Sequence, residues 1–75
     1  MDEKIKEIMA QVFGIDQSSI TSDSSLDTIE QWDSLSHSNL IIALEQGFDT
    51  TFEVEEIIDM MSFELIKLII KEKTA

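Results

Sequence analysis

The sequence has no cysteine and no proline, and its apolar runs are short. Without cysteine there is no disulfide scaffold, no thiolate zinc site and no cysteine nucleophile. The apolar run at residues 40–44 is far below the roughly 20 residues that a membrane-spanning helix needs. The first residues also lack the apolar segment of a signal peptide. We therefore expect a cytoplasmic protein with no membrane span.

Positive charge is scarce. The chain has 5 basic residues, all lysine, against 16 acidic ones, which gives a net charge of −11. No basic residue lies between Lys6 and Lys67. Such a chain repels the phosphates of nucleic acids and anionic membrane surfaces, so neither is an expected partner. The same charge favours a monomer. Because 43% of the residues are hydrophobic and they recur periodically, we expect a folded chain.

Apolar periodicity predicts a first helix from about Asp2 or Glu3 to Phe13, and Gly14 is placed to end it. Its apolar stripe consists of Ile5, Ile8, Met9, Val12 and Phe13. A second helix is predicted from Ser34 to about Gln46. Asp33 is its N-cap and Gly47 its C-terminal stop.

Two more helices follow, a short third one over Glu53–Met60 and a fourth from Phe63 to about Lys73, capped by Ser62. No alternating strand pattern is present. The sequence therefore predicts a single all-α domain over residues 1–75, a small antiparallel four-helix bundle. It has three longer helices, one short third helix and a long first loop.

That long connection, residues 15–33, is rich in serine, threonine and aspartate, which favour turns and caps. Structureless loops of this length are uncommon in compact domains. Apolar residues recur through it, so we expect it to be pinned across the core: Ile15, Ile20, Leu26, Ile29 and Trp32. Trp32, just before the second helix, is predicted to pack as a hydrophobic plug in the manner of a hydrophobic staple.

Few residues here support catalysis or metal binding. An EF-hand loop starting at Asp23 places Thr28 where glycine is required and Ser34 where a bidentate glutamate is required. His37 is the only histidine, and no second transition-metal ligand accompanies it. We interpret it as a partly buried spacer. No catalytic residue and no metal ligand is predicted.

The remaining motif is Asp33-Ser34-Leu35 at the head of the second helix. In this position the chain resembles the acyl carrier protein family over nearly its whole length. The resemblance continues through Leu40 and Ala43-Leu44-Glu45 to the Phe48-Asp49 helix exit. It ends in the acidic third helix, Glu53-Val54-Glu55-Glu56.

This resemblance implies that Ser34 receives a 4′-phosphopantetheine arm from coenzyme A through a separate phosphopantetheinyl transferase. The thiol of the arm would carry acyl groups as thioesters, which suits a chain that has no cysteine of its own. An anion linked to Ser34 would lie near the free N–H groups of a helix start. Asp33 would add a helix cap and a negative contact, and Leu35 an apolar one.

The implied partners are the transferase, an acyl- or aminoacyl-loading ligase and downstream synthases with basic docking patches. Seven residues are candidates for docking them: Asp33, Leu35, Glu45, Asp49, Glu53, Glu55 and Glu56. Many fatty-acid carriers have Gly-Ala before the motif and further acids after it. This chain has Gln31-Trp32, then Ser36 and Asn39 at acidic places. In this respect it is more similar to stand-alone carriers of specialised pathways.

The sequence leaves the cargo open between a fatty acyl, a polyketide and an aminoacyl or other carboxylate. An aminoacyl carrier in nonribosomal or wall-polymer synthesis is one alternative, and an unmodified acidic interaction module is another. Fatty-acid carriers can hold acyl chains between their helices, although plain core packing is the favoured interpretation here. Candidate residues for lining such a space are Ile42, Ala43, Phe48, Ile57, Met60 and Met61.

Overall fold

The computed structural model describes residues 2–74 and confirms the all-α prediction. Its elements are helix α1 (Asp2–Phe13), a 3₁₀ turn (Gln17–Ser19), α2 (Ser34–Phe48), α3 (Val54–Asp59) and α4 (Phe63–Thr74). The only β-type pairing among these residues is an isolated antiparallel bridge between Ser25 and Ser62. Within residues 2–74, no helix has both the length and the apolar character needed to cross a bilayer.

Helices α1 and α2 pack in opposite directions. Near one end, Gly47 of α2 faces Ile8, so closely that a Cβ at Gly47 would lie 2.6 Å from Ile8 Cδ1. At the other end, the rings of Phe13 and Trp32 lie 5.2 Å apart between centroids. Gly47 therefore permits a close helix approach. Its prediction as a helix stop is wrong, because α2 runs on to Phe48.

The helix stop is instead Asp49, which adopts the left-handed conformation at φ 52° and donates its N–H to the Glu45 carbonyl. Aspartate tolerates this conformation better than most residues, although less well than glycine. At the end of α1 the expected glycine is present, since Gly14 has φ 68°. Gly14 and Ile15 both donate their N–H groups to the carbonyl of Ala10, so that end follows the prediction.

The core is one cluster to which α1, α2, α4 and the first loop all contribute. Its fully buried large side chains are Ile5, Met9, Leu40, Leu44, Met60, Phe63, Ile66 and Ile70. Most of them recur at helical spacing within α1, α2 and α4, with Ile8, Val12 and Ile69 half-buried at the margin.

The first loop is pinned as predicted, by Ile20, Ile29 and Trp32, all of which are buried. Backbone hydrogen bonds also tie it to the α3–α4 connection. Leu26 donates its N–H to the Met61 carbonyl at 3.0 Å, and Phe63 donates to the Ser24 carbonyl at 2.9 Å. The prediction that Leu26 is a core anchor is wrong. Its side chain is 42% exposed, because this pairing turns it outward.

Helix α3 is shorter than predicted because Glu53 and Met60 are its caps rather than its first and last turns. None of its six residues, all described by the structure, is buried. Side chains hold it in place instead. Glu53 and Glu56 form a reciprocal capping box, and Lys73 of α4 makes a 2.9 Å ion pair with Glu56.

Most of the lysines are engaged within the fold. The ammonium groups of Lys4, Lys6 and Lys73 lie over the rings of Phe48, Phe63 and Phe52. Lys67 pairs with Asp2 at 3.1 Å. These lysines therefore stabilise contacts within the fold, and the outward surface remains acidic.

Replacing Asp49 tests the helix stop. Asp49→Gly should raise the free energy of unfolding by about 1 kcal/mol, since glycine adopts the left-handed conformation without steric cost. Asp49→Ala should lower it. Both variants remove the same charge, so urea denaturation of the pair separates the backbone effect from the electrostatic one. Equal stability of the two variants would contradict the assignment.

Candidate functional site

Ser34 is the first residue of α2, and its side chain is exposed. Its hydroxyl makes no hydrogen bond to any residue in the described part of the chain, while its backbone carbonyl accepts one from the Ser38 hydroxyl at 3.3 Å. The site therefore presents a free hydroxyl at the N-terminus of a fifteen-residue helix, the longest of the fold.

Asp33 caps that helix as the sequence predicted. Its backbone is extended, and its carboxylate accepts the Ser36 N–H at 2.8 Å. The hydrogen bonds from the Ser36 backbone and side chain lower the pKa of Asp33 below its ordinary value. Asp33 is therefore ionised at neutral pH and fixes where α2 begins.

Trp32 and His37 meet beneath the start of α2. Trp32 occupies N′ and His37 occupies N4, the positions of a hydrophobic staple, and their rings stack at 6.1 Å and 24°. Trp32 is only 3% exposed, so the plug prediction is confirmed.

His37 does more than the spacer role predicted for it. Trp32 Nε1 donates to His37 Nδ1 at 3.0 Å, and His37 Nε2 lies 2.9 Å from the Ile57 carbonyl, which can only accept. A neutral imidazole with its proton on Nε2 satisfies both contacts. Trp32 was predicted to pack at N′, but its contact with His37 was not predicted. Nothing in the sequence indicated the bond to α3, twenty residues away.

A groove of about 400 Å³ opens beside Ser34, between the start of α2 and α3. Its walls are mostly apolar and are formed by Leu26, Trp32, Asp33, Ser34, His37, Ile57, Ile58 and Met61. Leu26 and Ile58 were missed as site residues, since an apolar residue on a loop or short helix carries no sequence signal for a groove rather than the core.

The suggested cargo-lining residues do not lie together. Ile57 and Met61 line the groove beside Ser34, whereas Met60 is fully buried in the core and Phe48 packs against it. Ile42 points outward from α2 and is 54% exposed. Ala43 lines a different groove, between α1 and α2. The structure thus offers one groove at Ser34 and no space bounded by all six.

The seven candidate docking residues fall into two groups. Five are exposed, with Leu35 at 73%, and Glu45 and Glu56 are half-buried; the exposed ones are Asp33, Leu35, Asp49, Glu53 and Glu55. Asp33 and Asp49 also cap the two ends of α2, and three more of the acids support the fold. Glu45 accepts the Phe52 N–H, and Glu53 and Glu56 form the capping box of α3.

Hydrogen bonding from the Glu53 backbone and the nearby Lys73 ammonium lowers the pKa of Glu56. Among residues 2–74, no three His, Asp or Glu side chains gather in a way that would hold a metal ion.

Comparison with known proteins assigns this geometry to a family. Residues 3–66 match the family model described as the phosphopantetheine attachment site. The fold is also similar to the solution NMR structure of a holo acyl carrier protein from Geobacter metallireducens, with a TM-score of 0.83 and 31% sequence identity. That match covers 97% of this chain and 86% of the other.

The Asp33 cap predicts a dependence of stability on pH. Because the folded-state pKa is below the unfolded one, the ionised carboxylate stabilises the fold above about pH 4, and this contribution is lost as pH falls through the folded pKa. Asp33→Asn keeps a capping side chain without a charge. Thermal unfolding from neutral to acidic pH should show wild type losing stability relative to Asp33→Asn at the acid end.

Asp33→Ala provides the control, because it removes the cap at every pH and should be the least stable of the three near neutrality. A wild-type to Asp33→Asn difference that stays constant over the whole pH range would contradict the assignment.

Proposed function

The chain belongs to the phosphopantetheine attachment-site family, as an acyl carrier protein that is not itself a catalyst, and on this premise we propose that Ser34 is its attachment residue. The observation that carries the proposal is the position of Ser34. It is an exposed serine with a free hydroxyl, at the capped start of α2 and inside the matched residues 3–66.

The residues around Ser34 fit a phosphodiester-linked arm. The free hydroxyl supplies the linking oxygen, and the helix N-terminus places N–H groups and positive dipole charge close to the phosphate. Asp33, already engaged with the Ser36 N–H, holds this helix start in place. The mostly apolar groove beside Ser34 can accept a tethered group that folds back.

Attachment uses the Ser34 hydroxyl as the nucleophile. Ser34 Oγ would bond to the phosphorus of coenzyme A that carries the pantetheine, as the bond from that phosphorus to adenosine 3′,5′-bisphosphate breaks. The hydroxyl proton would go to a base of the transferase. When bound, the arm supplies the thiol that this cysteine-free chain lacks, and that thiol carries acyl groups as thioesters.

Partner enzymes are proposed to dock along α2 and α3 through the exposed members of the candidate set, Asp33, Leu35, Asp49, Glu53 and Glu55. The net charge of −11 attracts enzymes with basic patches. Glu45 and Glu56 are half-buried and would contribute mainly to the field. The proposed partners are a phosphopantetheinyl transferase, a loading ligase and downstream synthases.

The pathway is proposed to be a specialised biosynthesis of fatty-acyl, polyketide or related type. Support comes from the outward face of α2, which carries Leu35, Ser38, Asn39 and Ile42 and has no charge between Asp33 and Glu45. An enzyme reading this face must therefore offer apolar and neutral contacts beside its basic patch.

Modification of Ser34 is tested by intact-mass spectrometry after treatment with coenzyme A and a broad-specificity phosphopantetheinyl transferase. Wild type should gain the mass of one phosphopantetheinyl group, and Ser34→Ala should gain nothing. Ser36→Ala and Ser38→Ala are matched controls in the same helix and should be modified like wild type.

If Ser34→Ala still gains the mass of a phosphopantetheinyl group, Ser34 is not the attachment residue. Wild type that remains unmodified with several competent transferases would instead favour an unmodified interaction module.

Docking through Leu35 is tested by its removal. Full burial of a leucine contributes about 2 kcal/mol, so partial burial at an interface predicts a fall of about 10-fold in kcat/KM of the transferase towards Leu35→Ala. Leu68→Ala, another exposed leucine but on α4, is the control and should leave kcat/KM unchanged. Equal effects of the two substitutions would place docking elsewhere.

A further inference from the structure

We propose that Trp32 and His37 form a plug that closes the bundle interior and confines a tethered acyl chain to the shallow groove beside Ser34. This inference rests on the proposed attachment at Ser34. It makes the pair a determinant of cargo length, so that only the carbons nearest the thioester are sheltered.

The position of Trp32 and His37 supports this proposal. Both side chains line the groove on which Ser34 opens, and Trp32 continues inward to pack against Phe13. The fully buried residues Leu40, Leu44 and Met60 line no part of the groove. The rings of Trp32 and His37 therefore separate the groove from the core.

Hydrogen bonds hold Trp32 and His37 in this position. The Trp32 indole N–H, His37 and the Ile57 carbonyl form a continuous hydrogen-bonded chain from the end of the first loop across α2 to α3. A chain pushing inward between α2 and α3 must displace His37. That would leave the indole N–H without its acceptor in an apolar setting, and the Ile57 carbonyl with only the Met60 N–H at 3.3 Å, which is unfavourable.

Apart from these hydrogen bonds, few contacts hold α3 beside the groove. Helix α3 has no fully buried residue among the six that the structure describes, and its apolar contact with the core is made by half-buried Ile57. Its polar attachments are the Ile57 bond to His37 and the Glu56 pair with Lys73. Of these, only the His37 bond lies at the groove.

Carriers loaded with acyl chains of increasing length test the plug. Wild type, His37→Ala, His37→Gln and Asn39→Ala would be modified with acetyl-, butyryl-, hexanoyl-, octanoyl- and decanoyl-coenzyme A and the transferase, with loading verified by intact mass. Thermal unfolding then reports sheltered carbons, since each fully buried methylene raises Tm by roughly 3–6 °C. Emission of Trp32, the only tryptophan, reports contact with the plug.

In wild type, Tm should rise over the shortest chains and then stay level, and Trp32 emission should stop changing at the same length. In His37→Ala, Tm should continue to rise through decanoyl. His37→Gln retains a donor and an acceptor and should restore the plateau. Asn39→Ala, exposed on the opposite side of α2, should behave as wild type.

A continuous rise in wild type, or a plateau in His37→Ala that matches wild type, would overturn the plug. If His37→Ala fails to fold, as judged by circular dichroism, Trp32→Phe takes its place with Tm as the readout. A plateau in Trp32→Phe at the same chain length as in wild type then overturns the proposal. Absence of any mass increase in wild type would count against attachment itself, so the two failures are distinguishable.

Discussion

The hydrogen bonds of His37 hold the functional end of this molecule together. Trp32 is buried and brings an indole N–H with it, and the acceptor for that N–H is His37. The other ring nitrogen of His37 reaches the Ile57 carbonyl of α3. One neutral imidazole thereby joins the end of the first loop, the first turn of α2 and a short helix that buries none of its own six residues. The groove beside Ser34 exists because these three segments are held at fixed separations.

The acidic surface suits long-range attraction of a partner, and the uncharged outward face of α2 suits short-range contact with it. Lys4, Lys6 and Lys73 lie over phenylalanine rings, and Lys67 pairs with Asp2, so these cations brace the fold. The surface field is left to the acids, and such a field acts mainly on the rate of encounter with basic partners. The outward face of α2 is uncharged, with Leu35 prominent. We propose that the charge attracts basic partners in general and that the contact distinguishing one partner from another is apolar.

Much of the fold follows from the sequence, because helical periodicity and capping are local signals. The stripe of α1, the Asp33 cap and the left-handed Gly14 are examples. Gly47 could not be interpreted correctly, since a glycine that ends a helix and one that admits a neighbouring side chain look the same in sequence.

At the site, the Asp33 cap and the Trp32 plug were predictable from the helix start, whereas Ser34 was selected by the family resemblance. Two other features depend on long-range contacts that carry no local pattern. These are the outward turn of Leu26, set by pairing with Met61, and the reach of His37 to Ile57.

The pairing of the first loop with the α3–α4 connection also bears on how the chain folds. Ser24, Ser25 and Leu26 meet Met61, Ser62 and Phe63, residues far away in sequence, so these bonds close a long loop and carry a high entropic cost. Helices α1, α2 and α4, by contrast, share most of the buried apolar side chains. We therefore expect α3 and the pairing between the first loop and the α3–α4 connection to be the part of the fold that opens most easily. Native-state hydrogen exchange should detect this opening of the groove while α1, α2 and α4 remain folded.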